Sequence, residues 1–397
     1  MGKRLQAMKL LVYLLRAVLG GFYSLFKILP VKDKITMISR ESNSKPIDFA
    51  LIEEEILRRK DNVQLVFLCK TIDSGLFAKL RYGFYLIQSL YHIATSKVCI
   101  VDTYCIPISI LKHRAELLVV QLWHSLGAIK KFGYQALDTF EGHSSTVAKN
   151  LNMHQNYSYV TCASEATRKF YSEAFRVPES RIRVDGMPRI DYIIGDETSN
   201  RRCREKVYRQ HPQLREKQNI LYVPTFRKDT AVPMAPLLEH INPEKYNLII
   251  KLHPLDSTDI AHGFAVLTKV RTFDLLKVSD YVITDYSAAS IEASLLDKPV
   301  LFYLYDVADY QKKRGLNVDL FQEMPGCTFT EFEELMAVIE SGRYPYEALR
   351  AFRDKYVETA DTNNTRRIVN HIYSTVGWSV LETEDPAQMQ TYRDELC

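Results

Sequence analysis

Along this 397-residue chain, short apolar runs alternate with stretches whose apolar residues recur every three to four positions. The first kind fits buried strands and the second fits helices that cover them. Strands are predicted at residues 34–39, 63–70, 97–104, 117–123 and 159–163, and helices at 47–59, 77–94 and 165–175. A second series opens after Asp191, with a charged helix at 197–209 and strands at 219–223, 246–252, 281–284 and 300–303. Helices at 331–341, 345–356 and 364–374 close the chain. This alternation predicts an α/β protein whose parallel sheets are covered on both faces. It divides into two Rossmann-like halves, residues 34–193 and 194–397, with the boundary in DYIIGDE at 191–197.

Residues 10–29, LLVYLLRAVLGGFYSLFKIL, carry a different pattern. Twenty residues rise about 30 Å as a helix, enough to cross a bilayer. The polar positions argue for another placement, because Lys9, Arg16, Gly20 and Lys27 fall within about 20° of one stripe at the ~100° helical step. The expectation is an amphipathic membrane-associated helix within residues 1–33 that lies in the membrane surface, its lysines at anionic lipid heads, and ends at Pro30. A membrane span and a helix packed on the protein's own core are the alternatives.

Composition changes this picture at two points. The length exceeds one typical core, so two domains of roughly 150–200 residues are the natural division. A hydrophobic content of 46% rules out a disordered chain, and a net charge of +4 gives no argument for nucleic acid. The charge is unevenly placed: residues 1–34 hold seven Lys or Arg against Asp33 alone, leaving the other 363 residues at −2. Seven cysteines without CxxC or Cys/His metal spacing fit reduced thiols in a cytoplasmic protein.

Ligands of open α/β sheets bind beyond the carboxyl ends of the strands, so the residues that follow the apolar runs are the candidates for chemistry. Residues 280–310, DYVITDYSAASIEASLLDKPVLFYLYDVADY, read as a strand, a hydroxyl-bearing turn at Asp285, Tyr286 and Ser287, a helix at 288–296 and a second strand. The amides opening that helix, with the Ser287 and Ser290 hydroxyls, would hold a diphosphate without a glycine-rich loop. A serine N-cap on an ordinary helix is the alternative. Downstream of the 117–123 run, His124 stands beside Gly127, Lys130 and Lys131, where it could take a proton near a negative group or be held by backbone in a turn. ILYVPTFR places Thr225 and Arg227 after a strand, and NLIIKLHP does the same for Lys251 and His253. Arginine forks onto phosphate oxygens and lysine supplies a compact charge. Four strand-end clusters of cationic or hydroxyl character point to phosphoryl chemistry on a nucleotide. The absence of GxxxxGK[ST], GxGxxG and GxSxG argues against a P-loop ATPase, a nicotinamide dehydrogenase and an α/β-hydrolase. No metal-ligand cluster stands out, and a divalent cation has no support in the sequence.

An ordered set of motifs resembles the CDP-glycerol glycerophosphotransferases, which build teichoic acids and some capsules on a two-domain GT-B architecture. The set comprises QLWHSLGAIKKFG at 121–133, VDGMPRID at 184–191, VPTFR, KLHP, the long ITDYSAAS stretch and DTNNTRR at 361–367. Ser125 stands where the family has glycine, Ala128 where proline is common and Ile190 in place of asparagine. The resemblance implies two facing Rossmann-like domains, the first binding acceptor and the second CDP-polyol. It also implies an enzyme that moves a polyol phosphate from CDP-glycerol, or CDP-ribitol, to a polyprenyl-diphosphate-linked saccharide or polyol phosphate, releasing CMP. Such an enzyme would sit peripherally on the cytoplasmic face of the cell membrane. His124 matches the candidate general base and His253 a stabiliser of the diphosphate. Arg227, Ser287 and Ser290 match donor-phosphate contacts, with Thr225, Lys251 and Asp285 grouped beside them. Glu292 falls near the ribose or polyol, and Asn364 and Thr365 would close over the diphosphate. Trp123, Ser125, Lys130 and Lys131 belong to the acceptor side. A UDP-sugar glycosyltransferase of the same architecture and a non-catalytic membrane-docked scaffold are the rival readings.

Overall fold

Six parallel strands build the sheet of the amino-terminal half in the computed structural model, which describes residues 2–59, 62–72, 75–252, 265–267 and 269–379. They are β1 (Lys32–Ser39), β2 (Gln64–Cys69), β3 (Ser96–Val101), β4 (Leu118–Gln121), β5 (Tyr159–Thr161) and β6 (Ile182–Arg183), in the order β2-β1-β3-β4-β5-β6. The second sheet holds β7 (Gln218–Val223), β8 (Tyr246–Ile250), β9 (Ala265–Leu267), β10 (Tyr281–Thr284), β11 (Val300–Tyr303) and β12 (Thr328–Phe329), in the order β12-β11-β10-β7-β8-β9. Its strands are parallel as well. The chain is therefore an α/β protein with two parallel sheets. Strands such as β8 and β11 are buried at every position, which is why they read as continuous apolar runs rather than alternations. The strands that the pattern missed, β6, β9 and β12, have two or three residues and lie at sheet edges.

One face of the first sheet, with Ile35, Met37, Val98, Ile100 and Val120, packs against two helices. The helix Ile47–Arg58 brings Phe49, Ile52 and Ile56, and the helix Asn364–Val376 brings Ile368, Val369, Ile372 and Tyr373. The last helix thus crosses back to the half that it does not follow in sequence, because its apolar stripe matches that face. The expectation that all of 194–397 folds on the second sheet misses this return.

The amino-terminal helix runs Gly2–Phe26. Leu19 and Tyr23 are buried in the first half's core, the Tyr23 hydroxyl lies 2.8 Å from His113 Nδ1, and Lys27 Nζ donates to the Lys112 carbonyl at 3.2 Å. The polar stripe expected at lipid heads therefore turns towards the protein: Arg16, Gly20 and Lys27 are half-buried, while the Lys9 side chain lies outside the described residues. Leu10, Tyr13, Leu14, Val18, Phe22 and Leu25 are left exposed on the other side. Among the described residues no helix is long and apolar enough to cross a membrane. Cys69, Cys99, Cys105, Cys162 and Cys327 are free thiols.

Candidate active site

In the second sheet the strand order reverses at β7, whose neighbours β8 and β10 lead to opposite edges. Crevices at such reversals are where open α/β sheets bind ligands. Beyond these strand ends lies a cavity of about 360 Å³, lined by Thr225, Lys251 and Ser287 together with Lys130, Glu141 and Arg314. The Thr225 amide donates to the Asp285 carboxylate at 2.9 Å, yet its hydroxyl is buried with no hydrogen-bond partner among the described residues. Ser287 Oγ accepts from the Ala289 amide at 3.3 Å. The amides of Ser287 and Ala288 have no acceptor among the described residues. An orphan hydroxyl and two open amides beside three cationic side chains suit an anionic oxygen-rich group. Burial, and then Arg314, push Lys130 down to about 8, and burial holds Lys251 below its ordinary value. A phosphate entering this cavity would favour the charged form of both lysines.

Several expected donor contacts do not reach this cavity. Arg227 is buried, with Nη1 donating to Asp285 at 2.8 Å and Nε to Asp306 at 2.6 Å, so two carboxylates already hold it. Asp285 in turn accepts from the Thr225 and Tyr286 amides and ties the ends of β7 and β10 together. Ser290 is buried and its hydroxyl donates to the Ser287 carbonyl at 2.8 Å. The helix it belongs to, Ala289–Ser294, has six residues instead of the expected nine, so little dipole accumulates. Glu292 lies 3.6 Å from Arg189 Nη1, and Arg189 also forks onto Asp48 of the first half. Burial raises Glu292, with Arg189 working the other way. This three-residue cluster joins the halves.

Asn364 and Thr365 are likewise committed. Their backbone amides donate to the Asp191 carboxylate at 2.9 and 2.8 Å, and so do Asn364 Nδ2 at 2.8 Å and Thr365 Oγ1 at 2.6 Å. Asp191 thereby satisfies the open amides of the last helix at its first turn. Gly186 sits against Asn364 with φ +83, and a Cβ there would come within 1.7 Å of Asn364 Oδ1. VDGMPRID and DTNNTRR are therefore the two sides of one structural joint. His253, the second expected histidine, lies outside the described residues and follows Leu252 of the cavity wall directly.

In the first sheet the order reverses between β1 and β3, and a second cavity of about 440 Å³ opens there. His124, His143, His154, Arg40, Glu41 and Arg314 are among its lining. His124 follows β4 through Trp123, whose backbone is left-handed at φ 63, whose amide donates to Gln121 Oε1 at 2.8 Å and whose ring stacks on Phe132. His124 Nδ1 lies 3.1 Å from the Asp102 carbonyl. A carbonyl only accepts, so Nδ1 carries the proton and Nε2 keeps the lone pair of a base. Burial holds the imidazole below its ordinary 6.5, against the pull of Glu41. His143 and His154 were missed, since they sit in a loop with no apolar run before them. His154 is pushed down to about 3 by burial and then by His124 and His143, and its Nδ1 meets the Tyr157 hydroxyl at 2.9 Å.

The remaining acceptor-side residues divide. Trp123 lines the histidine cavity, but Lys130 lines the other one. Lys131 belongs to a seam between the halves, its amide donating to the Gly315 carbonyl at 3.0 Å, whereas the Ser125 carbonyl accepts from Tyr171 within the first half. The adjoining Gly127, at φ +78, leaves no room for a Cβ beneath Ile291 of the second half.

The sequence model of the CDP-glycerol:poly(glycerophosphate) glycerophosphotransferase family matches residues 21–374. The chain belongs to this family. It is 30% identical over 390 residues to a teichoic acid ribitol-phosphate primase of Bacillus spizizenii, covering 91% of this chain and 97% of that one. It is 29% identical over 362 residues to a teichoic acid glycerol-phosphate primase of Bacillus subtilis, covering 86% and 92%. Among solved structures, the wall teichoic acid polymerase TagF superposes with a TM-score of 0.69 at 18% identity, covering 94% of this chain and 97% of that one. The glycerophosphotransferase fold thus extends over nearly the whole chain.

Proposed function

We propose that this glycerophosphotransferase transfers a polyol phosphate from a CDP-polyol to a lipid-linked acceptor in teichoic acid synthesis and releases CMP. The observation that carries this reading is the donor-sized cavity at the β7/β10 reversal, where a Thr225 hydroxyl without a partner among the described residues shares the lining with Ser287, Lys130 and Lys251. The diphosphate would lie there, and the acceptor hydroxyl would enter the histidine cavity beside it. The two halves, 34–193 and 194–397, act as acceptor and donor domains of a GT-B-like pair, with the last helix tying them together. His124 Nε2 takes the proton of the attacking hydroxyl, and the family resemblance assigns His253, next in sequence after Leu252, to stabilising the diphosphate. Phosphoryl transfer of this kind depends chiefly on positioning and cationic stabilisation, which these groups supply. CDP-glycerol is the first donor to consider from the family's own description. CDP-ribitol is the second, favoured by full-length similarity to a ribitol-phosphate primase. Incubating the enzyme with CDP-glycerol, CDP-ribitol or UDP-GlcNAc and a synthetic lipid-linked acceptor should release CMP from one CDP-polyol and no UDP. UDP release instead would discard the reading.

A lipid acceptor calls for a membrane surface, and the outward face of the amino-terminal helix supplies one. Tyr13, Leu14, Val18 and Leu25 are each more than half exposed there, as is Phe84 on the neighbouring helix. We place the enzyme peripherally on the cytoplasmic leaflet, held by these apolar side chains. Each inserted side chain is worth roughly 1.5–3 kcal/mol. Leu14→Glu with Val18→Glu should therefore lower partitioning onto anionic vesicles by about 100-fold or more, with CMP release on a soluble acceptor unchanged. Sedimentation with vesicles measures this, and undiminished binding would remove the helix from the docking surface.

A further inference from the structure

Arg314 directly follows the helix Val307–Lys313 and, among the described residues, shares with Glu141 the place of lining both cavities. Its Nε donates to the Lys131 carbonyl at 2.7 Å and its Nη1 to the Glu141 carbonyl at 3.1 Å. Both carbonyls belong to the first half, so the side chain is fixed at the seam where the donor and histidine cavities meet. A guanidinium carries five N–H donors. Three are left after these two bonds, and no carboxylate pairs with Arg314 among the described residues. Arg227 is the opposite case, since Asp285 and Asp306 already occupy its donors.

We infer that Arg314, rather than Arg227, is the arginine that touches the phosphoryl group in flight. The inference rests on the reading of the two cavities as donor and acceptor sites. In the step, the acceptor hydroxyl oxygen forms a bond to the phosphorus that carries the polyol. The bond from that phosphorus to the bridging oxygen breaks, CMP leaves with its electron pair, and the hydroxyl proton passes to His124 Nε2. Negative charge gathers on the phosphoryl oxygens as they move from one cavity towards the other. A cation already fixed at the junction stabilises that charge without reorganising, which is where electrostatic catalysis gains most. The donor itself rests on Thr225, Ser287 and Lys251, so Arg314 contributes to the transition state more than to ground-state binding.

The test uses the full chain with Arg314→Ala and Arg314→Lys, reading CMP release at saturating acceptor, and the melting temperature. Arg314→Ala should lower kcat by ~10²–10³-fold, while KM for the CDP-polyol changes by less than about threefold. Added guanidinium should restore part of the lost rate. Arg314→Lys keeps the charge but not the fork and should fall between the two. A kcat within about threefold of wild type in either folded variant, or a loss confined to KM, overturns the assignment. Should Arg314→Ala fail to fold, Arg314→Lys at an unchanged melting temperature decides by the same criteria. Thr225→Val separates this from failure of the cavity reading. It exchanges an orphan hydroxyl for a methyl group, so it should weaken CDP-polyol binding by calorimetry without lowering the melting temperature. Unweakened binding there overturns the donor cavity and the Arg314 inference together. Weakened binding with wild-type kcat in the Arg314 variants overturns the Arg314 assignment alone.

Discussion

CMP release should fall by ~10²–10⁴-fold in His124→Ala, with CDP-polyol binding retained. The reason is geometric. The Asp102 carbonyl at 3.1 Å fixes the proton on Nδ1, so the only basic nitrogen is Nε2. Burial keeps the ring neutral, because the imidazolium would lose hydration that Glu41, 3.9 Å away, replaces only in part. With its pKa below the ordinary 6.5, the base form is already present at neutral pH. The wild-type rate should therefore stay level through neutrality and fall only on the acid side of 6.5. Single-turnover CMP release gives the rate, and calorimetry with the CDP-polyol separates chemistry from donor binding. Transfer at the wild-type rate in His124→Ala would end the assignment of the base.

What made His124 legible is what made most of the fold legible. It follows an apolar run, and a run long enough to cross a sheet leaves a trace that two or three residues at an edge do not. Thr225, Lys251 and Ser287 stand out in the same way, each one to three positions beyond a strand end, and all three line one cavity. His143 and Arg314 carry no such marker, because a loop residue and the residue after a short helix are brought to the site by packing between the halves. The expected contacts that lie away from the cavity share a feature as well. A motif says that a residue is needed and leaves open what needs it. Asn364, Thr365, Glu292 and Ser290 were read as ligand contacts, but each meets a partner within the protein. Asp191 and Arg189 hold two of those joints and stand in VDGMPRID, a motif quoted for its resemblance with no role given to either residue. The amino-terminal helix shows the same limit: periodicity located its polar stripe, but only tertiary packing decides which side faces the protein.

Arg227 gives the largest expected effect on stability. Its side chain is 4% exposed and Asp285 is 2% exposed, with Asp306 a little more open. Three tyrosine rings, Tyr286, Tyr305 and Tyr310, surround the guanidinium at 5.0–5.6 Å. Burial alone would disfavour the charge, and Asp285 and Asp306 outweigh that penalty. Removing one member of such a cluster leaves the others charged in a poor solvent, at a cost of about 3–5 kcal/mol. For a chain of this size, Arg227→Ala should lower the melting temperature by roughly 4–6 °C with no donor present. Arg227→Lys keeps one ion pair and loses the fork, so it should fall between the two. The decisive arm is Arg227→Ala combined with Asp306→Asn. If the loss comes from an unpaired carboxylate, neutralising Asp306 restores part of the stability. If Arg227 instead binds donor phosphate directly, the single variant melts like wild type and loses only CDP-polyol affinity. Activity should also fall in Arg227→Ala through position rather than charge, since Asp285 loses the partner that aims it at the amide of Thr225, which lines the donor cavity.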